Sequence, residues 1–336
     1  MDCWASFQKR QIWTIQGTPV VDERPGLIHD AFARALAYSG ACEAQMNDTD
    51  ILPHLSTAYS ARDMLEILHK TGHEKLRYWG YSYGTILGGV FATLYPETIE
   101  RFVSDGNVDY NDFFEGDRAN FFQDTDSILD AFDEACHRVG PDTCDFWASS
   151  PAAIEARRAK LLEQLKSRPV ILPAWTAGTG PEMPRVITYT DAQVLLRQVL
   201  YKPLGGGVER LAAVYAGLER GDGLPYYRAT ADFRSEDGVP MSEQLCAVAD
   251  VPATEPQETP HEEDAYSAIM CSDGVAVEDT VEEFEVYVEK LRSVSRWAGV
   301  SNTAFRLPCV GRSVRPKWRV VPKGLSVPFL VLIRAC

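Results

Sequence analysis

The residues at 80, 82 and 84 follow the spacing Gly-x-Ser-x-Gly, the arrangement in this chain best fitted to covalent chemistry. A serine hydroxyl held on a sharp strand-to-helix turn can attack a carbonyl and carry the acyl group through a covalent intermediate. Lys75 to Trp79 is a short aromatic run bounded by Gly80, the pattern of a buried strand. Thr85 to Leu94 is apolar at helical spacing and stops before Pro96, which cannot continue a helix. Strand, motif and helix in that order are the setting of a nucleophile elbow. Gly80 and Gly84 are expected to let the backbone turn sharply, leaving Ser82 strained and exposed. The backbone N–H of Tyr83, at the helix N-terminus, then sits where an oxyanion would form. The same pattern also arises in ordinary glycine-rich turns; the flanking strand and helix favour the nucleophile.

Other elements must position this turn. A helix predicted over Ser56 to Thr71 puts Ala58, Ala61, Leu65 and Leu68 on one face, with Gly72 after it as a C-cap. Glu100 to Ser104 reads as a second strand, closing a right-handed, parallel β-helix-β unit. A polar turn, Asp105 to Asp109, follows at once. Upstream, an apolar-periodic patch from His29 to Leu36 predicts a helix flanked by Cys3 and Cys42. From about Tyr110 to Gly299 helical segments dominate: Ile128–Val139, Ala152–Lys166, Asp191–Tyr201, Val208–Arg220 and Val281–Trp297. A helical insertion after a strand would form a cap over the site. Gly205 to Gly207 lacks the Lys and Ser/Thr of a phosphate loop and reads as a connector. Pro252 to Asp264 reads as an acidic, solvated loop. Val327 to Ile333 is a continuous apolar run, the signature of a strand buried on both faces. The expected division is a partial core over 1–109, a cap over 110–300 and a return to the core over 301–336.

A net charge of −15 over 336 residues argues against nucleic acid and anionic membranes as partners. No apolar run is long enough to span a bilayer. Eight cysteines are many for a reducing compartment and allow on the order of a hundred full pairings. Cys136 and Cys144 bracket a short Gly-Pro-Asp loop, fit for a local staple. No Cys-x-x-Cys pair or Cys/His cluster of zinc spacing competes, so disulfides are favoured over a metal and no cofactor is expected. Disulfides place the chain in an oxidising compartment. Met1 to Trp4 shows neither the basic nor the apolar region of a signal peptide, which conflicts with that placement.

Several longer stretches resemble one family. Ser56-Thr57-Ala58 with Ala61-Arg62-Asp63-Met64, and Tyr78 to Thr85 with Leu87-Gly88, are similar to the pre-elbow helix and elbow of secreted tripeptidyl aminopeptidase-like serine peptidases. These are α/β-hydrolases of the prolyl-aminopeptidase type. Arg101-Phe102-Val103 with Asp105, Gly106 and Asp109 resembles their next strand. Ala268 to Gly274, then Arg306 and Cys309, resemble their late-cap segment, and Val327 to Ile333 the strand leading into their catalytic Asp loop. The resemblance covers nearly the whole chain. It implies an α/β class fold: an α/β-hydrolase core with a partial parallel sheet and a large, mostly helical cap inserted after the strand that follows the elbow. It also implies a peptide substrate, trimmed from its free N-terminus through an acyl-enzyme on Ser82, in an extracellular setting. Asp273 is the implied anchor for the substrate's α-ammonium group, with Glu262, Glu263 and Asp264 as weaker candidates. The expected pairs are Cys3–Cys42, Cys136–Cys144 and Cys271–Cys309, with Cys336 unpaired.

The resemblance also leaves gaps. Nothing in residues 1–50 matches the family's Gly/Pro-rich oxyanion loop, and its Asp and His would fall beyond Cys336. The chain is therefore expected to be cut at both ends, with Arg334-Ala335-Cys336 as unrelated residues. A triad on this fold runs Ser, acid, His along the chain, and after Ser82 only His137 and His261 remain. His137 falls on a cap helix and His261 in the Pro/Glu-rich loop. Asp105 or Asp109 could serve as an acid, although a polar turn residue is the simpler account. Without a base the hydroxyl stays protonated and is a poor nucleophile. The expectation is a serine hydrolase with one triad member, inactive as this chain. The alternatives are an esterase or lipase on the same fold, or a non-catalytic peptide-binding pseudoenzyme or fragment. Lacking earlier strands, Lys75 to Trp79 is expected at a sheet edge.

Overall fold

The computed structural model describes residues 3–17, 19–174, 181, 183–231, 262–322 and 330–332. Three helices precede the first strand: α1 (Phe7–Ile15), α2 (Leu27–Met46) and α3 (Thr57–Lys70). Ser6 starts α1 by accepting the N–H of Lys9. Helix α2 runs well past the predicted patch, because Ala35, Ser39, Cys42 and Met46 continue its buried stripe. On α3 the buried residues include Ala58, Ala61 and Leu68, three of the four predicted for that face.

The elbow follows. Strand β1 (Leu76–Tyr81) leads into α4 (Tyr83–Leu94), and β2 (Ile99–Asp105) returns parallel to β1. Their register sets Tyr78 opposite Phe102 and Tyr81 opposite Asp105. Ile86, Val90 and Phe91 of α4 are fully enclosed and join one apolar cluster with Ala58 and Ala61 of α3. Asp109 then caps the short helix α5 (Tyr110–Glu115), accepting from the N–H groups of Asn111 and Asp112.

The next segment is helical: α6 (Thr125–Val139), α7 (Pro151–Ser167), α8 (Tyr189–Tyr201), α9 (Gly207–Glu219) and α10 (Leu224–Ala231). Ser150 caps α7 ahead of Pro151, and Thr188 with Asp191 forms a reciprocal capping box on α8. Between α7 and α8 lies an antiparallel hairpin, β3 (Val170–Leu172) and β4 (Arg185–Ile187). These elements share a second apolar cluster that includes Phe146, Leu195, Leu211 and Tyr215. Inside it Arg158 makes a two-pronged pair with Asp133, both bonds 2.7 Å, with neither side chain more than 4% exposed.

Helices α11 (Glu262–Asp273), α12 (Val281–Val294) and α13 (Thr303–Arg306) complete the described chain with β5 (Leu330–Leu332). Phe284, Tyr287 and Leu291 of α12 pack into the elbow's cluster, not the second one. The sheet order is β1-β2-β5, all parallel, so among the described residues β1 is paired on one side only, as expected. Its Trp79 and Tyr81 are 66% and 74% exposed. Disulfides join Cys3 to Cys42, Cys136 to Cys144 and Cys271 to Cys309, the three expected pairs. Cys336 and most of Val327 to Ile333 lie outside the described residues. No helix among them is long and apolar enough to cross a membrane.

Candidate active site

Ser82 occupies the turn between β1 and α4 with φ 55° and ψ −127°, a region that side-chain-bearing residues rarely adopt. Such a conformation costs about 1–3 kcal/mol and persists only where surrounding structure enforces it. The enforcement is visible. Thr85 gives both its N–H (2.9 Å) and its hydroxyl (2.7 Å) to the carbonyl of Ser82. From beneath, the Tyr78 hydroxyl donates to the carbonyl of Gly84 at 2.6 Å, and Tyr110 to that of Thr85 at 2.7 Å. Tyr83 is the first residue of α4, so its N–H is one of those the helix cannot bond internally. That amide follows Ser82 at the N-terminus of α4, the chain order expected of the elbow.

Neither Gly80 nor Gly84 has a positive φ; the left-handed residue of the turn is Ser82 itself. Gly80 is required by space, since a Cβ there would lie 2.5 Å from the Gly84 carbonyl oxygen and from the Tyr78 ring. At Gly84 the nearest such atom is the Tyr78 hydroxyl at 3.4 Å, a looser fit.

On the far side of the elbow, the Tyr83 hydroxyl is 2.6 Å from the Thr57 hydroxyl. Thr57 opens α3 and bonds Asp273 twice, through its N–H at 2.8 Å and through its hydroxyl. Asp273 is 2% exposed, and burial pushes its carboxyl up from 3.8 to about 6 against the opposing pull of those two bonds. Burial first, then the charge of Asp273, raise the Tyr83 phenol well above its usual value. The ammonium-binding role implied for Asp273 thus meets an enclosed carboxylate whose two oxygens are both bonded to Thr57. Thr57 and Asp273 are 216 residues apart, so no local sequence signal could have joined them.

The Ser82 oxygen lies 3.5 Å from the hydroxyl of Tyr201, the exposed last residue of α8. Among the described residues this is the only hydrogen-bonding neighbour of Ser82 Oγ. His137 is elsewhere, its Nδ1 3.0 Å from the carbonyl of Ala148 and its ring stacked on Trp147. His261 lies outside the described residues. Asp105, at the end of β2, accepts from the Trp79 indole at 3.3 Å, while Asp109 is taken up in capping α5 and in a bond from Asn120. The polar-turn account therefore describes Asp109.

Thr190, Val194 and Arg197 of α8 line a cavity of about 340 Å³, and Tyr201 continues the same helical stripe. Trp4, Trp13, Tyr38, Arg34 and Asp264 form part of its remaining wall. Asp264 is 2% exposed, held by Arg10, by the Tyr38 hydroxyl at 2.6 Å and by the N–H of Cys3 at 2.9 Å. Glu262 and Glu263 stand in the first turn of α11; their side chains lie outside the description. The cavity escapes sequence reading because its walls come from residues 4–38, 190–197, 264–267 and 301–308.

Comparison with known proteins bears on this geometry. A family model described as "alpha/beta hydrolase fold" matches residues 34–215, more than half the chain. Tripeptidyl aminopeptidases of Streptomyces lividans and Streptomyces coelicolor are each 39% identical over 93 residues, which is 27% of this chain and 17% of theirs. The serine protease Hip1 of Mycobacterium tuberculosis is 30% identical over 195 residues, 56% of this chain and 35% of its own. The chain thus matches well under two thirds of the length of either relative.

Proposed function

The chain belongs to the α/β-hydrolase fold family, and we propose that its chemistry is that of a serine peptidase releasing short peptides or single residues from free N-termini. One observation carries the reading: Ser82 is held at positive φ on the strand-to-helix turn, its hydroxyl 3.5 Å from that of Tyr201 and the N-terminal residue of α4, Tyr83, immediately after it. Ser82 Oγ attacks the scissile carbonyl, and the Tyr83 amide stabilises the charge that develops on its oxygen. The amine leaves as the acyl group stays on Ser82, and water releases the acyl group in a second step. The names of the relatives favour peptide over ester. The three disulfides support an oxidising, extracellular setting. The core, cap and return segments over 1–109, 110–300 and 301–336 belong to the same proposal.

The proton taken from Ser82 needs an acceptor, and no imidazole among the described residues hydrogen-bonds its hydroxyl. We infer that Ser82, with no base bonded to its hydroxyl among the described residues, turns over slowly, since lack of a triad base typically costs about 10⁴-fold or more. Asp273 fits better as the residue that fixes α3 against the elbow than as an open ammonium anchor.

Phosphonate esters that mimic the acyl transition state test the substrate class. Three are compared for their rate of attachment to Ser82: a tripeptidyl diphenyl phosphonate with a free amino terminus, its N-acetyl form, and a short alkyl phosphonate. The free-amine form should react fastest. A preference for the alkyl reagent would point to an esterase, and no attachment at Ser82 above that at other serines would leave a binding protein without catalysis.

A further inference from the structure

Arg197 presents a guanidinium to the cavity beside α8, and among the described residues it has no hydrogen-bond or ion-pair partner. Burial alone pushes it down from its ordinary value, with no neighbouring charge to offset the loss of water. A cation taken from water without a counter-charge is costly unless something supplies one. The Ser267 hydroxyl of α11, which also lines the cavity, is likewise without a hydrogen-bond partner among the described residues. Three guanidiniums, those of Arg10, Arg34 and Arg197, line the space against one carboxylate, Asp264, which is already paired to Arg10. The cavity's other walls are aromatic: Trp4 and Trp13 lie 5.0 Å apart centre to centre, with Tyr38 beside them.

We propose that this cavity binds a small carboxylate with an aromatic or aliphatic body, its charge on Arg197 and Ser267 and its body against the Trp4, Trp13 and Tyr38 rings. Arg197 offers the planar fork that matches a carboxylate with two parallel bonds. About 340 Å³ holds a ligand of amino-acid to short-peptide size. Arg197 and Tyr201 lie one turn apart on α8, about 6 Å along its axis. The proposal needs no chemistry at Ser82, and it stands whether or not the hydrolase reading does.

Calorimetric titration of the Ser82→Ala form of the whole chain tests it, with N-acetyl-phenylalanine, its uncharged amide and the free tripeptide Ala-Ala-Phe as probes. The acid should bind at least tenfold more tightly than the amide, and Arg197→Met should abolish that preference without shifting the melting temperature by more than a few degrees. If Arg197→Met fails to fold, the acid-to-amide ratio on the parent chain decides. Tighter binding of the tripeptide than of the N-acetyl acid marks a peptide C-terminus as the source, and equal binding marks a simple carboxylic acid; both support the site. Equal affinity for acid and amide, a preference that survives in Arg197→Met, or no binding of any probe would overturn it.

Discussion

Asp273, the last residue of α11, accepts both the N–H and the hydroxyl of Thr57, the first residue of α3. Through the Thr57 hydroxyl the pair reaches Tyr83, the residue after the nucleophile, so late and early chain segments meet directly behind the elbow. The Cys271–Cys309 disulfide lies two residues from Asp273 and holds the same helix end.

This buried carboxyl should mark the stability curve. Its folded value near 6 exceeds its ordinary 3.8, so the folded chain holds the proton more tightly than the unfolded one. The resulting stability is fully present below about pH 4 and is lost as pH rises through about 6. Asp112, also raised to about 6 by burial, acts in the same window. Asp273→Asn should flatten the fall in stability between pH 4 and 6, by on the order of 2–3 kcal/mol. Thermal melts of both proteins across that range check this; parallel curves would refute it.

The Arg158–Asp133 pair gives a second expectation. Both groups are enclosed, and removing one leaves an uncompensated charge. Asp133→Ala should cost about 3–5 kcal/mol by chemical denaturation, and adding Arg158→Met to it should recover most of that loss. A single-variant loss below about 1 kcal/mol would mean that water reaches the pair.

Gly80 gives a third. A methyl group there meets the Gly84 carbonyl and the Tyr78 ring at 2.5 Å, contacts that cannot relax without moving the elbow. Gly80→Ala should cost about 1–3 kcal/mol, whereas Gly84→Ala, with 3.4 Å to its nearest neighbour, should cost clearly less. Equal losses would show that the turn is held by something other than this close approach.

The elbow, α3, α4 and the long helices were legible because each rests on local periodicity and a stop signal, such as Pro96 after Leu94. Of the three disulfides, Cys136–Cys144 was legible from its short intervening loop. The hairpin β3–β4 was missed because three residues per strand carry too little alternation to register. Helix α5 was not assigned, since six residues after the cap Asp109 are too short for a periodic signal. The close neighbours that require glycine at 80, Gly84 and the Tyr78 ring, were not legible, because they crowd it only once the strand and helix are folded together. Contacts such as Thr57–Asp273 and Tyr38–Asp264 span more than 200 residues and leave no local trace.

The most direct test of Ser82 is its reaction with a fluorophosphonate, followed by peptide mapping between about pH 7 and 9. The expected result is modification at Ser82 in preference to all other serines, abolished by Ser82→Ala. It should be about 10³-fold or more slower than for an intact triad, and rise with hydroxide concentration or added imidazole. Rapid stoichiometric labelling at neutral pH would show that a base already serves Ser82, and labelling no faster than at surface serines would show that the elbow is not a nucleophile.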